Sequence, residues 1–250
     1  MLDRIENLIT SQRQVTNNIA HDLRSPLNRL RNRMEVALLD VKTPCAELRE
    51  VIASSIEDAD NLLRTFNALL NIAQVESRAR DDFEIINLTT ICEDLAELYE
   101  VLTEDGEHQF TSDISENLQL MGNRHLLAQA ITNLLDNTVK YTPKGGTICL
   151  IAKIVNKDIL ISVTDNGHGI PSDKRNDVLK RFYRLDSARS TPGNGLGLAL
   201  VSAVVNLHGG AIELKDNQPG LIVNLLLPNV EKFKARLSNQ SISNHQDSTQ

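Results

Sequence analysis

Apolar or small residues recur every three or four positions over the first 80 residues, which is the spacing of one face of an α-helix. The first stretch of this pattern runs through Ile5, Ile9, Thr16, Ile19, Leu23, Leu27, Leu30, Met34, Ala37 and Val41. A second stretch runs through Leu48, Ile52, Ile56, Ala59, Leu62, Phe66, Leu69 and Ala73. Between them, Thr43 is a suitable N-cap and Pro44 a suitable first helical residue. The pattern therefore predicts a hairpin of two helices.

Two antiparallel helices cannot cover both apolar stripes by themselves. A four-helix bundle formed by two copies of the chain would cover them. We therefore predict that residues 1–80 make the chain a homodimer. A single-chain hairpin packed against the rest of the chain is the alternative.

The pattern changes near residue 80. The segments TTICEDLAELYEVL and RHLLAQAITNLLDNTVKY keep a helical periodicity, whereas GTICLIAKIV, ILISVTD and GLIVNLLLP are rich in the branched apolar residues that strands favour. This mixture predicts an α/β sandwich over residues 83–230, with a sheet on one side and helices on the other. Residues 237–250 are polar, and we expect them to be disordered.

Composition and charge narrow the class of protein. The 250 residues carry a formal net charge of −7, which argues against nucleic acid as a partner because phosphate-binding surfaces need a basic excess. The three cysteines, Cys45, Cys92 and Cys149, lack a paired spacing, so we predict neither a disulfide framework nor a zinc site. This cysteine usage fits a reducing cytosol. No apolar run approaches the roughly 20 residues that span a bilayer.

A histidine lies inside the first predicted helix, beside an acid and close to a proline. His21 is followed by Asp22, and Pro26 comes five residues after the histidine. Helical periodicity turns His21 away from the apolar stripe, and Ser25 shares its face one turn later. Pro26 lacks the amide that would bond the Asp22 carbonyl, which favours a bend at this turn. We interpret His21 as an exposed nucleophile; an ordinary surface histidine is the alternative.

Two asparagines are separated by one turn of a later predicted helix. Asn133 and Asn137 share a face, which Lys140 and Tyr141 continue. Asparagine disfavours helix interiors, so two of them stacked there need a reason. An amide oxygen is a hard, neutral ligand that suits a Mg²⁺ ion bridging phosphates, and a lysine adds a positive charge for those phosphates. A solvated polar helix face is the alternative.

The segment VTDNGHGI follows a predicted strand. Asp165 is an acceptor suited to the amino group of adenine, which guanine does not present at that edge. Gly167 and Gly169 would let the backbone approach the base. A simple turn is the alternative interpretation.

The segment TPGNGLGL places Gly193, Gly195 and Gly197 at alternate positions before an apolar helix. It lacks the Gly-Lys-Thr/Ser ending of a Walker loop, and Leu198 stands where a dinucleotide fingerprint needs its last glycine. Glycines that open a helix leave free amides at its positive end, which predicts an anion site. A flexible linker is the alternative.

A third segment, SDKRNDVLKRFYRLDSARSTP, lies between the two glycine segments. It contains Phe182, Arg184 and Arg189. We interpret it as a lid that brings cations to phosphates. A surface helix with solvated arginines is the alternative.

Taken in order, these motifs resemble those of bacterial two-component sensor histidine kinases. HDLRSP is similar to the H box of that family, NLLDNTVKYT to its N box, DNGHGI and GNGLGL to its glycine boxes, and RFYR to its F box. The resemblance implies a dimerisation and histidine-phosphotransfer domain in residues 1–80. It implies a catalytic ATP-binding domain of the Bergerat fold in residues 83–230.

The resemblance also implies a reaction and its residues. ATP would phosphorylate His21, with Asp22 as the acid–base partner, and the phosphoryl group would pass to an aspartate of a response-regulator receiver domain. Asn137 would bind Mg²⁺, and Asp165 would bind adenine. The phosphates would be surrounded by Asn133, Lys140 and Tyr141. The other residues expected at the nucleotide are Gly167, Gly169, Ile170, Phe182, Arg184, Arg189, Gly193, Gly195, Leu196 and Gly197.

Ser25 is the candidate for a phosphatase reaction toward the regulator, and it stands where the family usually has threonine or asparagine. MLDRIENLI is similar to the end of a HAMP signalling helix. We therefore expect the cytoplasmic part of an inner-membrane receptor, with membrane contact only through segments that precede these residues. A nucleotide-binding scaffold without catalysis and a Bergerat-type ATPase without phosphotransfer are the alternatives.

Overall fold

The computed structural model describes residues 83–185 and 195–230, together with ten separate positions between residues 28 and 59, all of which are helical. The chain divides into two compact units. One comprises Met1–Arg78 with Arg184–Leu196, and the other comprises Ala79–Tyr183 with Gly197–Gln250. None of the helices within the described residues is long and apolar enough to span a membrane.

The second unit contains both helices and strands. In chain order its elements are β1 (Glu84–Asn87), α1 (Leu88–Asp105), β2 (Gln109–Ile114), β3 (Gln119–Gly122), α2 (Arg124–Tyr141), β4 (Thr147–Val155), β5 (Asp158–Asp165), a 3₁₀ turn (Ser172–Lys174), α3 (Gly197–Leu207), β6 (Ala211–Asp216) and β7 (Leu221–Pro228). The two predicted helical segments are α1 and α2, the apolar helix predicted after the glycines is α3, and the three predicted strands are β4, β5 and β7. These predictions are confirmed.

Five strands form one sheet in the order β2-β4-β5-β7-β6. β2 and β4 are parallel, whereas the other neighbouring pairs are antiparallel. β1 and β3 form a separate antiparallel pair. The sheet is therefore mixed, and β5, which ends at Asp165, lies at its centre.

One face of the sheet is buried under the helices. Alternate residues of the three central strands form this layer: Ile148, Leu150 and Ala152 of β4, Ile159, Ile161 and Val163 of β5, and Val223, Leu225 and Leu227 of β7. Opposite them, α2 buries Leu126, Leu127, Ala130, Ile131, Leu134, Leu135 and Thr138, and α3 buries Ala199, Leu200, Val201, Val204 and Val205. The predicted α/β sandwich is confirmed, and its interior is almost entirely aliphatic.

Two structural features differ from what the sequence pattern indicates. The edge strands β2 and β6 consist mainly of exposed residues, so they lack the apolar alternation by which strands are recognised. The described part of the SDKRNDVLKRFYR segment contains a 3₁₀ turn and further turns rather than an α-helix. The surface-helix interpretation of that part is wrong.

A buried histidine joins the start of α2 to the end of α3. The Nδ1 atom of His208 donates to the Val204 carbonyl at 2.7 Å, and its Nε2 atom accepts from the Asn123 amide at 3.1 Å. Asn123 is also the N-cap of α2, since its side chain accepts from the Leu126 amide at 3.1 Å. With these two ends fixed together, the first turn of α3 comes to lie beside the later turns of α2.

Candidate functional site

The asparagine pair of α2 lies against the first residue of α3. A Cβ atom placed on Gly197 would be 3.2 Å from Asn133 Oδ1 and 3.5 Å from Asn137 Nδ2. The structure therefore brings together two motifs that are 60 residues apart in the chain. Glycine at position 197 lets the helix N-terminus lie against both side-chain amides with little displacement of the asparagines.

The orientation of the Asn133 amide is set by its own helix. Its Nδ2 atom donates to the Gln129 carbonyl at 2.8 Å, which leaves Oδ1 on the side of Gly197. The first amides of α3 have no partner within the helix, and they lie at the positive end of the helix dipole. The Asn133 oxygen and these unpaired amides lie together, and the Asn137 amide oxygen is the kind of ligand that Mg²⁺ accepts, so the residues present fit a Mg²⁺-phosphate group.

Lys140 and Tyr141 end the same helix. The Lys140 Nζ atom lies 4.6 Å from the centre of the Tyr141 ring, close enough for a cation–π contact. Thr142 and Pro143 follow, and proline cannot continue the helix hydrogen bonding. The end of α2 thus carries a positive charge held against an aromatic face.

Asp165 ends the central strand β5 as a buried carboxylate, with 6% of its surface exposed. Its Oδ1 atom accepts from the Gly167 amide at 2.8 Å, and the Leu221 amide also bonds the carboxylate. Burial raises the pKa of this carboxyl above its usual value, while these two hydrogen bonds act in the opposite direction. A buried acceptor of this kind suits a ligand that offers a hydrogen-bond donor.

The loop after Asp165 runs close to the end of α2. A Cβ atom on Gly167 would lie 2.5 Å from the Tyr141 carbonyl oxygen and 3.0 Å from Asp165 Oδ1. A larger residue would have to displace the backbone at one of these two places. The aspartate loop and the asparagine helix are therefore adjacent parts of one site.

A further segment packs against Asp165, and no motif in the sequence indicates it. The β6–β7 turn (217–220) begins with Asn217, whose Nδ2 atom donates to the Asp165 carbonyl at 2.7 Å. Gly220 lies against the same carbonyl group, and Gly169 lies against the carbonyl of Gly220. No spacing rule connects Asn217 with Asp165, because 52 residues separate them.

Several other predicted site residues lie outside the described residues or in the other compact unit. His21, Asp22, Ser25, Arg189 and Gly193 lie outside the described residues, as does the predicted disordered tail. Arg184, Gly195 and Leu196 belong to the other compact unit, so their association with this site stays a prediction.

Ile170 and Phe182 follow Gly169 along the described chain. The Ile170 carbonyl accepts from Arg175 Nε at 3.1 Å, and Phe182 has a positive φ of 62°. Their predicted contact with a nucleotide stays a prediction.

Two protein families match the chain. The family described as histidine kinase-, DNA gyrase B- and HSP90-like ATPases matches residues 122–231, and the His Kinase A phospho-acceptor domain matches residues 11–78. The first match includes Asn133, Asn137, Asp165 and Gly197, and the second includes His21. ATP use is therefore a property of the family that contains the candidate site.

Several sensor kinases are similar to this chain. Sensor protein CiaH of Streptococcus pneumoniae is 30% identical over 210 residues, which are 83% of this chain and 47% of CiaH. The mycobacterial sensor histidine kinase MprB is similar in structure, with a TM-score of 0.51 and 31% identity over 59% of this chain and 98% of that one. Histidine kinase AdeS of Acinetobacter baumannii shares the fold, with a TM-score of 0.63 and 20% identity over 83% of this chain and 97% of that one. The chain spans about half the length of the curated relatives that it matches.

Proposed function

Because this chain belongs to the two-component sensor histidine kinases and carries their phospho-acceptor and ATPase domains, we propose that it phosphorylates itself on His21 with ATP. The phosphoryl group then passes to an aspartate of a response-regulator receiver domain. The observation that carries this proposal is the approach of the α3 N-terminus to Asn133 and Asn137, beside the buried Asp165. This arrangement offers an anion site and a base-recognition site within one unit.

Asn137 is the proposed protein ligand of Mg²⁺, through its amide oxygen. When bound, Mg²⁺ neutralises the charge that develops on the phosphate oxygens during transfer. Asn133, Lys140 and Tyr141 surround the phosphates, and the α3 amides at Gly197 donate to them. The lid residues Phe182, Arg184 and Arg189, with Gly193, Gly195 and Leu196, close over the same groups.

Asp165 is the proposed acceptor for the exocyclic amino group of adenine. Guanine presents a carbonyl oxygen at the equivalent position. That oxygen and the carboxylate are both acceptors, so no hydrogen bond can form between them. A buried acceptor that meets the wrong group is left unpaired, which costs about 1–3 kcal/mol. Gly167, Gly169 and Ile170 let the loop backbone approach the base.

His21 is the proposed nucleophile. A neutral ring nitrogen attacks the γ-phosphorus, a nitrogen–phosphorus bond forms, the bond to the β,γ-bridging oxygen breaks, and ADP leaves. Asp22 accepts a hydrogen bond from the other ring nitrogen, so that it fixes the tautomer and stabilises the cationic ring. Ser25, one turn later, is the proposed residue for orienting water in the reverse reaction on the regulator.

The proposed assembly is a homodimer through residues 1–80. Met34, Ile52 and Ile56 belong to the predicted apolar stripes, yet 46%, 52% and 58% of their surfaces are exposed in the single chain. A second copy would cover these side chains in a four-helix bundle. We place the residues of this chain in the cytoplasmic part of an inner-membrane sensor.

Transfer of label from γ-phosphate-labelled ATP tests the proposal. We expect acid-labile label on the parent chain, and none on His21→Gln although that variant still binds ATP. His125→Gln is the matched control, because His125 is an exposed histidine of α2. Label on His21→Gln contradicts the assignment. ATP hydrolysis without label would indicate a simple ATPase, and binding without either reaction would indicate a scaffold.

A further inference from the structure

We propose that Asn217 is a positioning residue that sets base selectivity by holding the backbone of Asp165. This inference rests on the proposed binding of adenine by Asp165 and concerns the same site. Asn217 itself does not touch the base. It acts through the orientation of the aspartate that does.

The β6–β7 turn (217–220) holds Asp165 at two groups. At its start, Asn217 Nδ2 donates to the Asp165 carbonyl oxygen at 2.7 Å. Just after its end, the Leu221 amide bonds the Asp165 carboxylate. The turn therefore contacts both the backbone and the side chain of the residue proposed to bind adenine.

The turn itself is held in place. The Asn217 amide donates to the Gly220 carbonyl at 3.2 Å, which closes the turn. Gly220 is buried, and a Cβ atom there would overlap the Asp165 carbonyl. Gly169 lies on the other side, where a Cβ atom would be 2.6 Å from the Gly220 carbonyl oxygen. The turn is thus packed between the start and the end of the aspartate loop.

The consequence for selectivity follows from burial. A carboxylate with 6% exposure has few alternative partners, so its direction depends on the backbone that carries it and on the two amides that bond it. Loss of the Asn217 donor removes a hydrogen bond that fixes the direction of the Asp165 carbonyl, so the backbone that carries the carboxylate is held less firmly. The carboxylate would then meet the amino group of adenine with poorer geometry, whereas contacts to the phosphates would be unchanged.

Binding of ATP and inosine triphosphate to the full chain tests this role. Inosine triphosphate has an oxygen where ATP has the amino group, so the ratio of the two Kd values reports on Asp165. The parent should bind ATP more tightly, so that the Kd for inosine triphosphate divided by the Kd for ATP is greater than one. We expect Asn217→Ala and Asn217→Asp to lower this ratio about 2- to 10-fold, which corresponds to one net hydrogen bond. Asn217→Asp keeps the shape of the side chain and removes the donor.

Asn224→Ala is the matched control. Asn224 is an asparagine of the same hairpin, but strand alternation places it on the sheet face away from the helices, next to the buried Val223 and Leu225. We expect it to leave the ratio of the two Kd values unchanged. Melting temperatures without nucleotide are measured in parallel, so that loss of stability is separated from loss of selectivity.

The possible outcomes separate the two proposals. A parent chain that binds ATP and inosine triphosphate equally would overturn the role of Asp165 and, with it, that of Asn217. If the parent prefers ATP to inosine triphosphate and both Asn217 variants keep the same ratio of Kd values, the role of Asn217 alone is overturned. This holds even if the melting temperatures of the variants fall. A reduced ratio in both variants and not in Asn224→Ala supports the inference.

Discussion

The hydroxyl of Tyr99 on α1 donates a hydrogen bond to the carboxylate of Asp136 on α2. The same hydroxyl lies 3.3 Å from the Thr132 carbonyl oxygen. Thr132 and Asp136 immediately precede Asn133 and Asn137, so a single buried side chain fixes α2 next to both asparagines. A phenol is protonated at neutral pH, and burial together with the bond to Asp136 raises the pKa of Tyr99 further.

We expect Tyr99→Phe to weaken Mg²⁺-dependent ATP binding about 2- to 10-fold, because it removes the hydrogen bond that anchors the asparagine helix. Calorimetric titration of the full chain measures this effect. Thr103→Val is the matched control. Within the described residues, the Thr103 hydroxyl donates to the carbonyls of Tyr99 and Glu100, which both belong to α1. Equal losses of ATP affinity in the two variants would indicate a general loss of packing rather than positioning.

How far the sequence predicted the fold depends on burial. Helix α2 spans the same residues as its predicted segment, because most of its apolar residues are buried on one side and Asn123 and Pro143 mark its ends. The central strands β4, β5 and β7 were equally clear from their branched apolar residues. The edge strands β2 and β6 were missed, since pairing with a neighbour rather than an apolar face defines them.

We expect Asn137→Ala to weaken ATP binding in the presence of Mg²⁺ about tenfold or more, as loss of a ligand to the ion would. Binding without Mg²⁺ should change much less. Asn206→Ala is a suitable control, because Asn206 is an exposed asparagine of α3. Sedimentation should show an unchanged dimer, since the stripes of residues 1–80 are untouched. An unchanged affinity with Mg²⁺ would count against Asn137 as a ligand.

We expect Asp165→Asn to have opposite effects on stability and on binding. A buried carboxyl with a raised pKa favours folding at low pH, and this contribution is lost as the pH rises through its folded pKa. Without nucleotide, the neutral asparagine should therefore raise the melting temperature at pH 7, and the gain should shrink toward pH 4. ATP affinity should fall about 10- to 100-fold, as expected for the loss of a charged acceptor.

Thermal melts across this pH range, compared with Asp113→Asn, check the sign of the effect. Asp113 is an exposed carboxyl of the edge strand β2, so its replacement should leave the pH dependence as it is in the parent. A stability gain in Asp165→Asn that grew on acidification would mean that ionisation of Asp165 stabilises the fold. That result would contradict burial as the dominant influence on this carboxyl.

The candidate site was predictable where its residues lie within one motif. Asn133 and Asn137 are one turn apart on a helix, and Gly167 follows Asp165 within the same loop, so spacing alone indicated their proximity. Asn217 and Tyr99 could not be predicted from the sequence, because their hydrogen-bond partners are distant along the chain. Their partners are 52 and 37 residues away, and both residue types are common in turns and cores that have no such role.

The backbone at Gly167 gives a final prediction. A methyl group there would lie 2.5 Å from the Tyr141 carbonyl oxygen, and neither the end of α2 nor the β5 loop can yield without moving a proposed nucleotide contact. We expect Gly167→Ala to weaken ATP binding by about 1–3 kcal/mol, or roughly 5- to 150-fold, the cost of overpacking. Gly197→Ala should weaken it less, since its Cβ would be 3.2 Å from a side-chain oxygen that can shift.

Gly145→Asn completes the comparison of glycine variants. Gly145 has a positive φ of 78° with nothing within 4 Å of its Cβ position, and asparagine tolerates that conformation. Its ATP affinity should equal that of the parent. If Gly197→Ala proved more damaging than Gly167→Ala, the asparagine side chains would have to be more rigid than the backbone around Asp165. The anion end of the site, rather than the base end, would then limit nucleotide binding.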